Sequence, residues 1–312
     1  MNLESKRITV TGGRGFLGHN IVRVLRLSGA DVSAPQHGEY DLREKSAVHS
    51  MLKDTDPQIV IHCAAKVGGI GLNKERPGEL FYDNAIMGIN VMEGASRYGV
   101  QKYIQLGTVC AYPKYTPEPF KEEDLWNGYP EETNAPYGVS KRMLITMADA
   151  YRQQYGLNTI TLLPVNLYGP GDHFESGKSH VIPAIIRKFY EALDKRLSSV
   201  TLWGTGQATR EFLYVRDAAR AIVSALQHYD GAEPVNVGSG QSISIRHLAG
   251  EISDKMGYYG EIKFDSSMPD GQPRRQLDTT KAKKLFGFEA TTSLSDGLDA
   301  TIQWYKECAK YL

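Results

Sequence analysis

The distribution of apolar residues along the first half of the chain predicts strands that alternate with helices. Ile8-Thr9-Val10 is a short β-branched run, and apolar residues then recur at helical spacing from Leu17 to Leu25. The alternation continues to residue 163. It comprises strands at Val32 to Ala34, Ile59 to Ile61, Tyr103 to Leu106 and Thr159 to Leu163, and helices at Ser46 to Leu52, Leu80 to Tyr98 and Tyr137 to Tyr155. This order predicts a parallel sheet with crossover helices.

From about Phe174 the pattern becomes more mixed. It predicts helices at Ile182 to Leu193, Asp217 to Gln227, Ile245 to Met256 and Leu294 to Lys310, and short strands at Val200 to Trp203 and Phe212 to Tyr214. We therefore expect a main domain over residues 1–173, to which segments at about 207–237 return, and a smaller, interleaved α/β lobe over 174–312. No long linker separates the two parts, so a ligand cleft between them is expected.

The glycines after the first strand add a chemical prediction. Gly12-Gly13-Arg14-Gly15-Phe16-Leu17-Gly18 follows a strand and opens a helix. In this context Gly12 makes a tight turn, Gly15 lets the backbone approach a pyrophosphate, and Gly18 allows close helix packing. The free amides and dipole of the helix N-terminus attract anionic oxygens. Residues 1–173 are therefore predicted to be an NAD(P)-binding Rossmann domain, with Gly12, Gly15, Phe16, Leu17 and Gly18 at the cofactor.

Composition narrows the function classes. The 312 residues are 41% hydrophobic and 23% charged, and 36 basic side chains balance 36 acidic ones. This balance does not favour nucleic acid or an anionic membrane as partner. Three cysteines leave an odd count, which argues against a disulfide scaffold. No apolar run approaches the roughly 20 residues that cross a bilayer. The N-terminus also lacks a signal-peptide core. A cytoplasmic protein without membrane segments is predicted.

The second strand decides which dinucleotide is expected. An acidic residue there binds the ribose of NAD, whereas a basic one accommodates the extra phosphate of NADP. Arg14 and His37 are candidate phosphate ligands, and Glu39 is a weaker ribose acceptor. Asp41-Leu42 lies either over the adenine or in an exposed loop. We prefer NADP(H) as cofactor, with NAD(H) as the alternative.

A tyrosine and a lysine one helical turn apart indicate acid-base chemistry. Tyr137 and Lys141 share one helix face at spacing i and i+4. A cation within about 4 to 6 Å lowers the pKa of a phenol, which suits proton transfer near neutrality. Thr108 follows a central strand, where its hydroxyl can polarise a carbonyl. Without the glycine turn, a solvated Tyr-Lys pair would be the simpler interpretation.

Two further residues have competing interpretations. Cys110 lies in the loop after Thr108 and is either a thiol base or a small buried hydrophobe. His180 precedes a helix and is either an acid or a residue at the helix entry. In the second lobe, Arg210 is a bidentate phosphate ligand or a surface partner of Glu211 or Asp217.

Several longer strings carry a family resemblance. The glycine turn with Tyr137 and Lys141 resembles the extended short-chain dehydrogenase/reductases, and the chain is similar to the GDP-L-fucose synthase group within them. The strings are Ala64-Ala65-Lys66-Val67-Gly68-Gly69-Ile70, Cys110-Ala111-Tyr112-Pro113-Lys114, Asn166-Leu167-Tyr168-Gly169-Pro170 and Ser179-His180-Val181-Ile182-Pro183-Ala184. The similarity extends from the first strand to Trp304.

The resemblance implies a function and roles for residues. It implies NADP(H)-dependent epimerisation at C3 and C5 and reduction at C4 of a GDP-4-keto-6-deoxyhexose, with no metal, in a homodimer formed through a helix bundle. Thr108, Tyr137 and Lys141 would serve the redox step, and Cys110 and His180 would exchange protons. The implied cofactor contacts add Ala64, Ala65, Pro164, Asn166, Leu167 and His180, and the implied substrate contacts are Asn166, Val181, Lys188, Trp203, Arg210, Asp270 and Arg274.

The chain also departs from the pattern of this group. Thr108 and Val109 stand where paired serines are usual, the second strand lacks the expected arginines, and Arg216 stands where an acid is common. Three alternatives stay open: a redox-neutral nucleotide-sugar epimerase, a C4 reductase without epimerisation, and a cofactor-binding protein without turnover. Asp270 and Arg274 are also compatible with a plain turn.

Overall fold

The computed structural model describes residues 1–175 and 179–309, in which strands and helices alternate along most of the chain. The strands are β1 (Arg7–Thr11), β2 (Asp31–Ser33), β3 (Ile59–His62), β4 (Lys102–Leu106), β5 (Asn158–Pro164), β6 (Asn166–Tyr168), β7 (Ser199–Trp203), β8 (Thr209–Tyr214), β9 (Val235–Val237), β10 (Ser242–Ser244) and β11 (Glu261–Asp265). The helices are α1 (Phe16–Leu27), α2 (Lys45–Thr55), α3 (Ile70–Glu75), α4 (Pro77–Tyr98), α5 (Ala135–Tyr155), α6 (Val181–Asp194), α7 (Val215–His228), α8 (Ile245–Met256), α9 (Thr280–Phe286) and α10 (Leu294–Cys308).

Six parallel strands form the central sheet in the order β2-β1-β3-β4-β5-β9. All residues of β3 and β4 are buried, because helices cover both faces of the sheet. Ile59 and Ile61 pack into the core shared with α1 and α7, whereas Val60 faces the core shared with α2 and α4. The predicted α/β class with a Rossmann-type, doubly wound sheet is confirmed.

A second lobe contains two small sheets. Strands β10, β8 and β6 form one sheet, and β11 pairs with β7 in parallel. Helices α6, α8 and α10 surround a separate core that includes Ile186, Phe189, Leu248 and Leu298. The chain changes sheets after Pro164, because β5 lies in the central sheet and β6 in the small one. The carboxyl edge of the central sheet therefore faces the second lobe.

The segment around 207–237 contributes to both parts. Strand β8 lies in the small sheet, whereas β9 pairs with β5 at the edge of the central sheet. Helix α7 packs against α1 beside that sheet. The division at residues 173 and 174 stays a prediction.

Several element boundaries differ from the sequence prediction. Helix α4 begins at Pro77 rather than Leu80, since proline is well suited to a first helical turn. The last helix is described to Cys308, and its predicted end at Lys310 lies outside the described residues. Short elements such as β9 and β10 were not predicted, because three residues carry no measurable periodicity. Within the described residues, no helix combines the length and apolar character needed to cross a bilayer.

Candidate active site

The glycine turn is built by close backbone contacts. Gly12 has a φ of +67°, and a Cβ added at Gly18 would lie 2.1 Å from the Gly12 carbonyl oxygen. Gly15 precedes α1, and an added Cβ there would meet only the Gly12 oxygen, at 3.3 Å. A side chain at Gly18 would therefore displace the turn, whereas Gly15 leaves the helix N-terminus open to an anionic ligand.

A cleft of 950 Å³ opens at the carboxyl edge of the central sheet, and the second lobe forms its other wall. Its size suits a ligand larger than a single small metabolite. Most of the residues predicted from sequence line it. They are Gly12, Gly15, Phe16, Leu17, Gly18, His37, Ala64, Ala65, Thr108, Cys110, Tyr137, Lys141, Pro164, Asn166, Leu167, His180, Val181, Lys188, Trp203, Arg210 and Asp270.

The loop after β2 forms a smaller cavity that His37 shares with the main cleft. Arg14 and Leu42 line this cavity, and the Arg14 Nε donates to the Ala34 carbonyl at 3.3 Å. The Glu39 carboxylate turns back to accept from the Gln36 amide at 3.1 Å. Arg14 and His37 are exposed basic side chains in the lining of this cavity.

Asp41 does not line either cavity, and its placement at the cofactor stays a prediction. Its carboxylate is paired with Arg43, whose Nη2 lies 2.7 Å from Oδ2. Hydrogen bonds from Arg43 lower the pKa of Asp41 to about 2. Arg43 itself lines the main cleft, which sequence reasoning did not predict, because irregular loops have no facial period.

Tyr137 and Lys141 lie on α5 at the cleft, where Tyr137 is half-buried and Lys141 is buried. The Lys141 amine is 6.0 Å from the centre of the Tyr137 ring and donates to the Leu106 carbonyl at 3.2 Å. Burial raises the pKa of Tyr137, and the neighbouring Cys110 raises it further, while Thr108 acts in the opposite direction. The expectation that Lys141 lowers the pKa of the phenol is wrong here, since desolvation dominates. Burial lowers the pKa of Lys141 to about 8.

Thr108 and Cys110 occupy one tight loop at the end of β4. The Thr108 hydroxyl accepts from the Cys110 amide at 3.2 Å and so caps the 3₁₀ turn Val109–Ala111. A Cβ at Gly138 would lie 2.4 Å from the Cys110 carbonyl oxygen, so α5 presses directly on this loop. Cys110 is half-buried, and its thiol lies at the cleft rather than wholly in the core.

His180 precedes the first residue of α6 and lines the cleft from the second lobe. No hydrogen bond from its side chain caps the helix. His180 is exposed to the cleft, and partial desolvation of its imidazole lowers its pKa, which His173 lowers further. The structure therefore brings the imidazole into the same cleft as the thiol and the phenol.

Hydrogen bonds within the second lobe hold the side chains of Arg210 and Asp270 in place. The Arg210 guanidinium donates to the carbonyls of Thr209 and Asp270 at 2.7 and 2.8 Å, and so is not paired with Glu211 or Asp217. The Asp270 carboxylate accepts from both the amide and the hydroxyl of Thr205. Its capacity to bind a ribose hydroxyl is therefore partly used within the lobe.

Arg274 is exposed and lies outside the cleft lining, and its placement at the substrate stays a prediction. Arg275 lines the cleft instead and is buried. Sequence reasoning also missed Asp172, a buried residue of the lining whose Oδ2 has no hydrogen-bond partner among the described residues. No local pattern distinguishes Arg274 from Arg275, because irregular loops have no facial period.

A glycine turn on a parallel sheet, with a Tyr-Lys pair in the adjoining cleft, defines a dinucleotide-dependent α/β enzyme. The model of the NAD dependent epimerase/dehydratase family matches residues 8–238, and the chain belongs to this family. The chain is 43% identical over 296 residues to a GDP-L-fucose synthase from Sinorhizobium fredii, which covers 95% of this chain and 94% of the relative.

Solved structures of similar shape span almost the whole chain. A GDP-6-OMe-4-keto-L-xylo-heptose reductase from C. jejuni superposes with a TM-score of 0.91 and 28% identity, covering 98% of this chain and 99% of the other. A GDP-L-fucose synthetase from Naegleria fowleri bound to NADP has a TM-score of 0.90 and 27% identity, covering 99% and 96%.

Proposed function

We propose that this protein is an NADP(H)-dependent epimerase/reductase of a GDP-linked 4-keto-6-deoxyhexose that forms GDP-L-fucose or a related GDP-sugar. The observation that carries the proposal is that Cys110, Tyr137 and His180 line one cleft next to the glycine turn. The 43% identity with the Sinorhizobium fredii GDP-L-fucose synthase supports the same activity.

The cleft fits a dinucleotide. The Gly12 and Gly18 contacts keep the turn tight, while the open side of Gly15 leaves the α1 amides free for a pyrophosphate. Arg14 and His37 would hold the extra phosphate, which favours NADP, as does the NADP bound to the Naegleria fowleri protein. When bound, this cofactor supplies the hydride that reduces the sugar ketone at C4.

The chain's own residues account for the proton transfers. A ketone at C4 acidifies the C–H bonds at C3 and C5, so a base on one face and an acid on the other can invert those centres. In the proposed reaction, Cys110 removes the proton and His180 returns one to the opposite face. The Thr108 hydroxyl stabilises the enolate oxygen, and Tyr137 protonates the same oxygen during reduction.

Lys141 has a separate role beneath the phenol. The residue is 2% exposed, and its amine donates to the Leu106 carbonyl at the end of β4. A lysine with a pKa of about 8 is mostly cationic at neutral pH. We assign it to charge stabilisation near Tyr137 and to the ribose hydroxyls of the cofactor.

Deuterium uptake tests the epimerase half directly. The protein is incubated in D₂O with GDP-4-keto-6-deoxymannose, and mass spectrometry and NMR measure label at C3 and C5. The proposal expects label at these carbons without NADPH, and consumption of NADPH when it is added. The Cys110→Ser variant should lose about 10²-fold or more of the exchange rate. Absence of exchange with folded wild-type protein would refute the epimerase half.

A C4 reductase without epimerisation is the second candidate. The similarity to the C. jejuni GDP-6-OMe-4-keto-L-xylo-heptose reductase favours it. In that case the Cys110→Ser variant keeps most of its NADPH oxidation with a suitable GDP-4-keto sugar. Binding of NADPH without any turnover would instead indicate a cofactor-binding protein.

Assembly and location are part of the same proposal. Residues 1–173 with 207–237 would bind the cofactor, and 174–312 mainly the nucleotide-sugar.

Helices α4 and α5 pack side by side, and α4 exposes Phe81 and Tyr82 away from the core. We propose that these helices form the bundle of a homodimer, which light scattering tests. Three free cysteines support a cytoplasmic location.

A further inference from the structure

Arg275 is a buried cation next to the thiol of Cys110. Its residue is 5% exposed, and its Nη1 lies 3.6 Å from the Cys110 Sγ and 3.2 Å from the Asn166 Oδ1. A cysteine sulfur this close to a guanidinium has a direct donor for its lone pairs. The contact joins residues that are 165 positions apart in the chain.

The guanidinium is held in place from a second side. Its Nε donates to the Gln272 Oε1 at 3.1 Å. The Gln272 amide nitrogen donates in turn to the carbonyls of Pro113 and Lys114, each at 3.1 Å. These carbonyls lie in the loop that also carries Cys110, so the network fixes Arg275 relative to the sulfur.

The charge of Arg275 is not neutralised by a carboxylate. Among residues 1–175 and 179–309, no ion pair involves Arg275. An unpaired buried cation is costly, and an anion formed beside it recovers part of that cost. Arg210 from β8 and Tyr137 from α5 also interact electrostatically with Cys110. Arg275 and Arg210 therefore both contribute positive charge near the sulfur.

We propose that Arg275 is a positioning residue that orients the Cys110 sulfur and stabilises its thiolate form, the form that acts as the base of the epimerisation. This inference rests on the proposed function. In the step, the C–H bond next to the ketone breaks and an S–H bond forms. The electron pair of the C–H bond becomes the C=C bond of the enolate, and the π electrons of the carbonyl move to its oxygen. The sulfur returns its proton to solvent before the next cycle.

Alkylation kinetics test the proposal without any sugar. Iodoacetamide is added to the full-length protein between pH 5 and 10, and mass spectrometry of peptides follows labelling of Cys110 and Cys63 separately. Cys63 is an internal reference, because it lines the same cleft while burial raises its pKa to about 12. At pH 7 we expect Cys110 of the wild-type protein to label at least about ten-fold faster than Cys63.

Matched variants assign the effect to Arg275. Arg275→Met and Arg275→Gln remove the charge, Arg275→Lys keeps it, and Arg274→Met removes an adjacent exposed charge outside the cleft. We expect the two neutral variants to raise the midpoint of the Cys110 alkylation curve by about one pH unit. Arg275→Lys and Arg274→Met should stay close to wild type, and thermal unfolding verifies that each variant is folded.

The outcomes separate this inference from the proposed function. Neutral variants with the wild-type alkylation curve overturn the role of Arg275 and leave it as a substrate ligand. If the neutral variants do not fold, wild-type Cys110 that labels as slowly as Cys63 overturns it too. A shifted curve together with no deuterium exchange in wild type would support the Arg275 contact while refuting the epimerase. In the active enzyme, Arg275→Met should lower the kcat of exchange about ten-fold below pH 8 with less effect on KM.

Discussion

Replacing Gly18 with alanine tests whether the glycine turn is required by sterics. The added Cβ would lie 2.1 Å from the Gly12 carbonyl oxygen and 2.7 Å from the Gly13 Cα. Real Cβ atoms essentially never come closer than 3.0 Å to such atoms, so the turn and α1 must separate by about 1 Å. Because both obstructing groups are backbone, no side-chain rotation can relieve the contact.

The Gly18→Ala substitution is expected to lower both the stability of the protein and its affinity for NADPH. Overpacking of this kind costs about 1 to 3 kcal/mol. In a chain of 312 residues this corresponds to a Tm about 2 to 5 °C lower. The displaced turn also loses one or two charge-assisted amide contacts to the pyrophosphate, each of about 1.5 to 3 kcal/mol. NADPH binding should therefore weaken about 10- to 10²-fold or more.

Two assays that compare Gly18→Ala with the control variant Gly78→Ala measure these effects. Thermal unfolding gives the Tm, and titration of NADPH by calorimetry gives the Kd. Gly78→Ala is the control, because no atom lies within 4 Å of its added Cβ and it occupies the exposed first turn of α4. The control should bind NADPH normally. A Gly18→Ala protein with an unchanged Tm and a Kd within about two-fold of wild type would refute the steric reasoning.

Two further predictions concern buried ionisable groups. Lys141→Met should lower the rate of NADPH oxidation about 10²- to 10⁴-fold, because the cation beside Tyr137 is lost. Thermal unfolding should show little loss of stability for this variant. An undiminished rate of NADPH oxidation would contradict the role assigned to Lys141. Burial raises the pKa of Asp172 to about 7, so the folded protein binds a proton that the unfolded chain releases near pH 4. The free energy of unfolding of the wild-type protein should therefore fall as the pH rises towards 7. Urea unfolding at pH 5 and at pH 7.5 measures this change. Between these two pH values, the free energy of unfolding of Asp172→Asn should rise by about 2 to 3 kcal/mol relative to that of wild type.

Local sequence patterns were sufficient to predict the parallel sheet and the glycine turn. The β-branched run at Ile8, the glycines after it and the apolar helix that follows all act between near neighbours. The i, i+4 spacing of Tyr137 and Lys141 likewise places both side chains on one face of α5. The sign of the pKa shift at Tyr137 could not be predicted this way, because it depends on how deeply distant residues bury the phenol.

The loops of the second lobe show the opposite case. Arg274 and Arg275 are adjacent and chemically identical, yet one is exposed and the other is buried next to Cys110. The choice depends on contacts such as that of Gln272 with Pro113, which are 159 residues apart. The Asp172 Oδ2, which has no hydrogen-bond partner within residues 1–175 and 179–309, also has no signature in the sequence.

The sequence by itself determined the α/β class, the dinucleotide turn and the candidate acid-base residues, because helix periodicity and turn sterics are short-range. Only the tertiary structure decided which loop side chains face the cleft, that Asp41 is paired with Arg43, and that burial raises the pKa of Tyr137. Those features depend on desolvation and on hydrogen bonds between segments far apart in the chain, which exist only once both lobes have packed around the same cleft.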